Sequence, residues 1–266
     1  MSNYTDYFSL DKESFVAIVT LNRPEKRNVI AQPFYEAMFE LQKDLLQDKT
    51  IRAVAIIANG KHFSAGTDLD FIAKVGQQTE PGRALYNLSV FQKTFQFWRT
   101  FNLPVVAGIH GACLGSAIEL AAACDFRICG DDAFFFLGEV MVGQSTDLGG
   151  TTNLTKLIGP GQTKRLMLTC ERIDAREAAR IGLVEKLVPA EKVKEETLAT
   201  AQKMADFPPI AIQMAKKAIN IATESSYAAS LLAEEIQGIY CVSTKDKVEA
   251  NKAMRDKSYK PNYTYE

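Results

Sequence analysis

The sequence predicts an α/β fold with a helical C-terminal part. Two observations carry this. Short aliphatic and β-branched runs alternate with segments of helical periodicity up to roughly residue 150, and beyond that the periodicity is almost entirely helical. The composition agrees: 47% hydrophobic and 24% charged residues are ordinary for a globular protein. The 266 residues can bury about three quarters of their unfolded surface, so the fold needs no disulfide or metal.

The elements follow in order. Phe15-Val16-Ala17-Ile18-Val19-Thr20-Leu21 reads as a buried strand, ended by the turn chemistry of Asn22-Arg23-Pro24-Glu25-Lys26-Arg27-Asn28. Residues 33–47 place Phe34, Met38, Leu41 and Leu45 on one helical stripe. Val54-Ala55-Ile56-Ile57 is a second buried strand. Residues 84–102 read as a helix with Leu88, Phe91, Phe95 and Trp98 on one face. Val105–Ile109 is a third strand, followed by a small-residue helix over Ser116–Ala123 and short strands at Phe126–Cys129 and Phe134–Phe136. Helices are expected at about 148–157, 208–222 and 227–257. The division expected is a core over residues 1–205 and a helical region over 206–266.

Several function classes are excluded. A net charge of −1 argues against general nucleic-acid binding, which needs clustered Lys and Arg. No apolar run reaches the roughly 18 residues of a membrane span. The start Met1-Ser2-Asn3-Tyr4-Thr5-Asp6 lacks a basic segment followed by an apolar one, so no secretory signal is read. Five cysteines without metal-site spacing favour reduced thiols in a cytoplasmic setting. Two histidines, His62 and His110, are too few for a typical zinc site, and both read as structural; no metal is expected.

Three segments concentrate chemistry. Lys61-His62-Phe63-Ser64-Ala65-Gly66-Thr67-Asp68-Leu69 follows a strand and is small and polar, so its backbone can approach a ligand closely. It equally suits an ordinary loop with Thr67 or Asp68 as a helix cap. His110-Gly111-Ala112-Cys113-Leu114-Gly115-Ser116-Ala117-Ile118-Glu119-Leu120 runs from strand through glycine turn into helix, where unpaired N–H groups can stabilise an oxyanion. Ser116-Ala117-Ile118-Glu119 also matches a capping box, in which Glu119 serves only its own helix. The third segment, from Gly138 to Gly150, sets Glu139 and Asp147 among apolar and small residues, surroundings that raise a carboxyl pKa toward proton-transfer use. Here too a cap is the plain alternative, with Thr146 or Asp147 preceding a helix.

Together and in this order these segments resemble the crotonase family, the enoyl-CoA hydratase/isomerase superfamily. The resemblance spans nearly the whole chain. It begins at Val19-Thr20-Leu21-Asn22-Arg23-Pro24-Glu25-Lys26-Arg27-Asn28 and continues through the two segments above. It adds Ala121-Ala122-Ala123-Cys124-Asp125 and Ala175-Arg176-Glu177-Ala178-Ala179-Arg180-Ile181-Gly182-Leu183-Val184. It implies a spiral of ββα turns with two sheets and a C-terminal region that builds homotrimers or dimers of trimers. It implies acyl-CoA thioester substrates, with coenzyme A as part of the substrate and no separate cofactor.

By motif position, the resemblance assigns the backbone N–H groups of Thr67 and Ser116 to an oxyanion hole. Most members carry glycine at the second position, so Ser116 and Ala117 depart from the pattern. Glu119 and Glu139 take the places of the two hydratase glutamates. Asp147 stands where hydratases typically carry glycine and dienoyl-CoA isomerases carry aspartate. Two readings follow: water addition by Glu119 and Glu139, or dienoyl isomerisation by Glu139 and Asp147. A third carboxylate in a dry pocket is costly unless neutral or hydrogen-bonded.

For coenzyme A the resemblance points to backbone near Ala65 and Thr67, with Lys26, Arg27 and Lys61 by the phosphates. A C-terminal lysine from a neighbouring subunit, Lys257 or Lys260, is a further implied contact, and a solvated surface charge is the plain reading of each. Ring-opening hydrolase, thioesterase, decarboxylase and a non-catalytic CoA- or RNA-binding scaffold are the other activities the fold class admits.

Overall fold

The computed structural model describes residues 4–76 and 81–266, with side chains described outside 74–87. Residues 1–3 of the N-terminal stretch read above therefore lie outside the described residues.

The chain opens with a hairpin, β1 (Phe8–Glu13) antiparallel to β2 (Val16–Leu21), turned at Ser14. Strand β1 escaped the sequence reading because Ser9, Asp11, Lys12 and Glu13 break its apolar character, as suits an edge strand. Strand β2 is buried throughout, which is what a strand covered on both faces requires. Helix α1 (Gln32–Gln47) follows, then β3 (Ala53–Ala58), α2 (Leu69–Gly76), α3 (Pro81–Thr100), β4 (Val105–Ile109), β5 (Ala112–Leu114) and α4 (Ser116–Ala123). Next come β6 (Phe126–Gly130), β7 (Phe134–Phe136), α5 (Gly150–Thr169), β8 (Ile173–Asp174), α6 (Ala175–Arg180) and β9 (Lys186–Val188). The remainder is helical: α7 (Val193–Ala205), α8 (Pro209–Ala222), α9 (Tyr227–Val242) and α10 (Lys245–Arg255).

Two sheets result. One has the order β1-β2-β3-β4-β6-β9, parallel from β2 onward, and the other has the order β5-β7-β8. Side chains alternate faces along a strand. On β3, Val54 and Ile56 therefore join the large core with Met38 and Leu41 of α1, Trp98 of α3 and Ile118 of α4. Ala53, Ala55 and Ile57 face the other way, into a second core with Val193, Ala201 and Ala205 of α7.

Two sequence expectations change. The helix expected at about 148–157 is the first part of α5; the chain breaks direction at Gly159-Pro160, because the residue before proline is pushed out of helical geometry, and then continues to Thr169. The single helix expected over 227–257 is two, α9 and α10. Thr244 separates them, its hydroxyl accepting from the Lys247 N–H at 3.2 Å, a local N-cap inside a periodic stretch. The C-terminal tail also returns to the core. The Asp246 carboxylate accepts from the Thr264 and Tyr265 amides, Arg52 donates to the Tyr263 carbonyl, and the Tyr265 hydroxyl donates to the Ile51 carbonyl.

The expected Cys124-Asp125 segment is an anchor. Asp125 accepts from the Val105 N–H, and the buried Lys216 of α8 reaches Asp125 and the carbonyls of Trp98 and Leu103. That network ties the helical region to the sheet.

Candidate active site

The loop between β3 and α2 is stitched to its neighbours by backbone bonds. Phe63 and Ser64 donate to the carbonyls of His110 and Ala112, Leu114 donates back to Ser64, and Ala65 donates to Arg27. The side-chain amide of Asn28 donates within this same cluster, to the carbonyls of Asn59, His62 and Phe63. The turn carrying Lys26 and Arg27 therefore lies against the loop carrying Lys61. All three cations are exposed. Lys61 and Arg27 act electrostatically on His62, helping burial to hold its pKa below the ordinary value. His62 Nδ1 accepts the Ala112 N–H at 3.1 Å, and His110 Nε2 lies 2.9 Å from the Gly60 carbonyl, so both histidines hold backbone, as the sequence suggested. Asp68 caps α2, accepting from the amides of Asp70 and Phe71.

This stitching sets Thr67 beside the start of α4. The Thr67 hydroxyl donates to the Ser116 hydroxyl at 2.7 Å. Neither the Thr67 N–H nor the Ser116 N–H has a backbone acceptor among the described residues. Ala65 lies two residues before Thr67 on the same loop and is half-buried.

Helix α4 then carries Glu119 inward, where it is 2% exposed. The capping box read from Ser116 and Glu119 does not form: the N-cap is Gly115, without a side-chain cap. Glu119 instead crosses to the next segment. Its Oε2 accepts the Leu148 N–H at 2.9 Å and the Gly150 N–H at 2.7 Å. This also overturns the cap expected from Thr146 or Asp147. The N-cap of α5 is Gly149, the Thr146 hydroxyl pairs with that of Thr151, and Glu119 takes the first helical amide. Only glycine suits position 150: a Cβ there would stand 2.7 Å from Glu119 Oε2 and 2.8 Å from its Cγ.

Glu139 begins a 3-10 turn over Glu139–Val142 and is half-buried. Its Oε1 lies 3.1 Å from where a Cβ on Gly115 would stand, at the mouth of α4, and Gly115 has φ +51°. Asp147 is exposed rather than enclosed in a dry pocket, so its burial cost is smaller than the sequence implied. Gln92 and Gln96 of α3 hold its loop, donating to the carbonyls of Asp147 and Leu148.

Electrostatics follow from this placement. Burial pushes the Glu119 carboxyl up to about 8, against the two amide bonds that favour its charge, and the negative charges of Asp147 and Glu139 add to the rise. Burial also raises Glu139, with Asp147 adding to it, and the partial loss of water around the otherwise exposed Asp147 raises that carboxyl too.

Tyr35 of α1 joins the site without having been singled out from the sequence. It is 3% exposed and stacks on Phe91 with ring centroids 4.1 Å apart. Burial raises its phenol, with Glu119 and then Asp147 adding to the effect. In sequence it lies beside the apolar stripe of α1 and resembles any helix tyrosine, so no signal marked it. Lys257 and Lys260 are exposed near the C-terminus. Among the described residues no group of three or more His, Cys, Asp and Glu side chains is placed to hold a metal ion, and no helix is long and apolar enough to cross a membrane.

Three carboxylates that act on one another, together with two amides without backbone acceptors, one at a helix N-terminus, are groups able to move protons and to stabilise an oxyanion. Comparison with known proteins identifies the family. The family model described as enoyl-CoA hydratase/isomerase matches residues 11–264. A relative from Arabidopsis thaliana named "Probable enoyl-CoA hydratase 2, mitochondrial" is 35% identical over 95% of this chain and 82% of its own length. A human relative named "Delta(3,5)-Delta(2,4)-dienoyl-CoA isomerase, mitochondrial" is 32% identical over 92% of this chain and 77% of its own. The crystal structure of an enoyl-CoA hydratase from Bacillus anthracis superposes with a TM-score of 0.90 at 31% identity, covering 98% of this chain and 100% of that one. From its motifs, its two-sheet fold and these relatives, the chain belongs to the enoyl-CoA hydratase/isomerase family, the crotonase superfamily of enzymes.

Proposed function

We propose that this enzyme adds water across the α,β double bond of an enoyl-CoA thioester, with Glu119 and Glu139 as the acid/base pair. One observation carries the reading: Glu119, in the first turn of α4, is pinned by the Leu148 and Gly150 amides, while Glu139 meets the N-cap of the same helix at Gly115. The thioester oxygen lies on the Thr67 and Ser116 amides, so negative charge develops where donors already point. The water oxygen bonds to the β-carbon, one water proton passes to a carboxylate, and a proton reaches the α-carbon. If one carboxyl takes the water proton and the other supplies the α-proton, the pair's total proton count is unchanged, transfer of one proton between them resets it for the next turnover, and the sum is one water added. Raised carboxyl pKa values suit both halves of this exchange near neutral pH.

A second reading rests on Asp147. Its charge couples to Glu139, and the two form a proton couple suited to shifting a double bond along a conjugated dienoyl chain without water. Coenzyme A lies along the edge formed by Lys26, Arg27, Lys61 and the backbone of Ala65, where exposed cations meet its phosphates. Homo-oligomer assembly uses α9, which exposes Leu232, Ile236 and Ile239.

Incubation of crotonyl-CoA and a conjugated dienoyl-CoA with the enzyme in heavy water, followed by mass spectrometry, separates the two. Product heavier by a whole water supports hydration. Carbon-bound deuterium without added water moves the chemistry to Glu139 and Asp147.

A further inference from the structure

Ser116 brings a hydroxyl to a position where the family resemblance places glycine in most members. The Thr67 hydroxyl donates to Ser116 Oγ at 2.7 Å, so that bond does not use the Ser116 proton. Ser116 is 3% exposed, and its O–H finds no acceptor among the described residues. The same residue carries one of the two unspent N–H groups, and its hydroxyl partner Thr67 carries the other. The free O–H thus belongs to one of the two residues whose amides are unspent, and its oxygen is bonded to the side chain of the other. A buried donor without an acceptor is costly, and a ligand oxygen at that spot removes the cost.

We propose that the Ser116 hydroxyl is a third donor to the acyl oxygen, oriented by Thr67 as a positioning residue. This rests on the acyl-CoA reading above. A hydroxyl that already accepts a hydrogen bond is polarised into a better donor. Its contribution grows as the acyl oxygen becomes an enolate oxygen, so it acts on the transition state more than on the bound substrate. Ser116 is not arranged as a nucleophile. Thr67 gives a proton to its oxygen rather than taking one, and both imidazoles are engaged on backbone, with Nδ1 of His62 bound to Ala112 and Nε2 of His110 by Gly60.

Acetoacetyl-CoA is the probe, because its β-ketothioester ionises to an enolate with its own ultraviolet absorbance. The absorbance of the bound probe is titrated against pH for the wild type, Ser116→Ala, Ser116→Gly, Thr67→Val and Thr67→Ser, with kcat measured on crotonyl-CoA in parallel. The expected result is ionisation of the bound probe at least one pH unit higher in both Ser116 variants, a tenfold change in its ionisation constant, with kcat falling about tenfold or more. Thr67→Val shows part of the same shift and Thr67→Ser restores it. Unchanged ionisation of bound probe in both Ser116 variants overturns the proposal while leaving the acyl-CoA reading intact. A wild type that does not bind the probe overturns the acyl-CoA reading itself.

Discussion

Glu119→Gln tests whether burial of this carboxyl is the dominant charge effect in the site. The carboxyl moves from an ordinary value of 4.5 to about 8 on folding. Below pH 4.5 the group is neutral in both folded and unfolded chains, so it imposes no penalty. Between 4.5 and 8 the folded chain holds the proton more tightly than the unfolded one, and stability falls as pH rises. Above pH 8 the penalty is complete, about 5 kcal/mol at 1.36 kcal/mol per pH unit. Glutamine keeps an oxygen to accept the Leu148 and Gly150 amides and removes the titration. Urea unfolding of both proteins at intervals from pH 5 to pH 8 reads the difference. The wild type is expected to lose several kcal/mol relative to Glu119→Gln across that range, while the variant loses hydration activity by about two to four orders of magnitude. Parallel stability curves for the two proteins would falsify the reasoning. Glu119→Ala is a useful contrast, since it leaves two buried amides unpartnered at about 1–3 kcal/mol each.

Three further outcomes are expected. Gly150→Ala drives a methyl group into the Glu119 carboxyl and its Cγ, whereas a Cβ on Gly161 in the same helix meets nothing within 4 Å; thermal unfolding should show about 1–3 kcal/mol lost for the first and little for the second, with the drop in kcat confined to Gly150→Ala. Replacing Arg27 and Lys61 together by glutamine should raise KM for crotonyl-CoA severalfold at low salt, with the difference shrinking as added salt screens the charges on the phosphates. Ile236→Glu, placed on the exposed apolar side of α9, should reduce the molar mass seen by light scattering, and an unchanged mass would remove α9 from the assembly surface.

Local chemistry made the strands β2, β3, β4 and β7 and the helices α1 and α4 legible in the sequence, because each combines a period with turn residues at its ends. Family motifs also named Glu119, Glu139, Asp147, Thr67 and Ser116 from their order along the chain. What local chemistry could not supply was partner choice. Ser116 and Glu119 have the spacing of a capping box, yet Glu119 bonds the amides of Leu148 and Gly150, because packing of α4 against α5 presents it with a buried pair of donors. Tyr35 carries no sequence mark and gains its place only because α1 and α3 stack around it.

The sequence by itself determined the element types, the family and the residue types available for acid/base chemistry, since these depend on periodicity, turn preference and motif order. Tertiary structure alone decided which amides stayed free, which carboxylate was driven to a neutral form, and which hydroxyl received the Thr67 proton. Those properties arise from desolvation and from hydrogen bonds between residues far apart in the chain, and neither quantity exists until the segments meet.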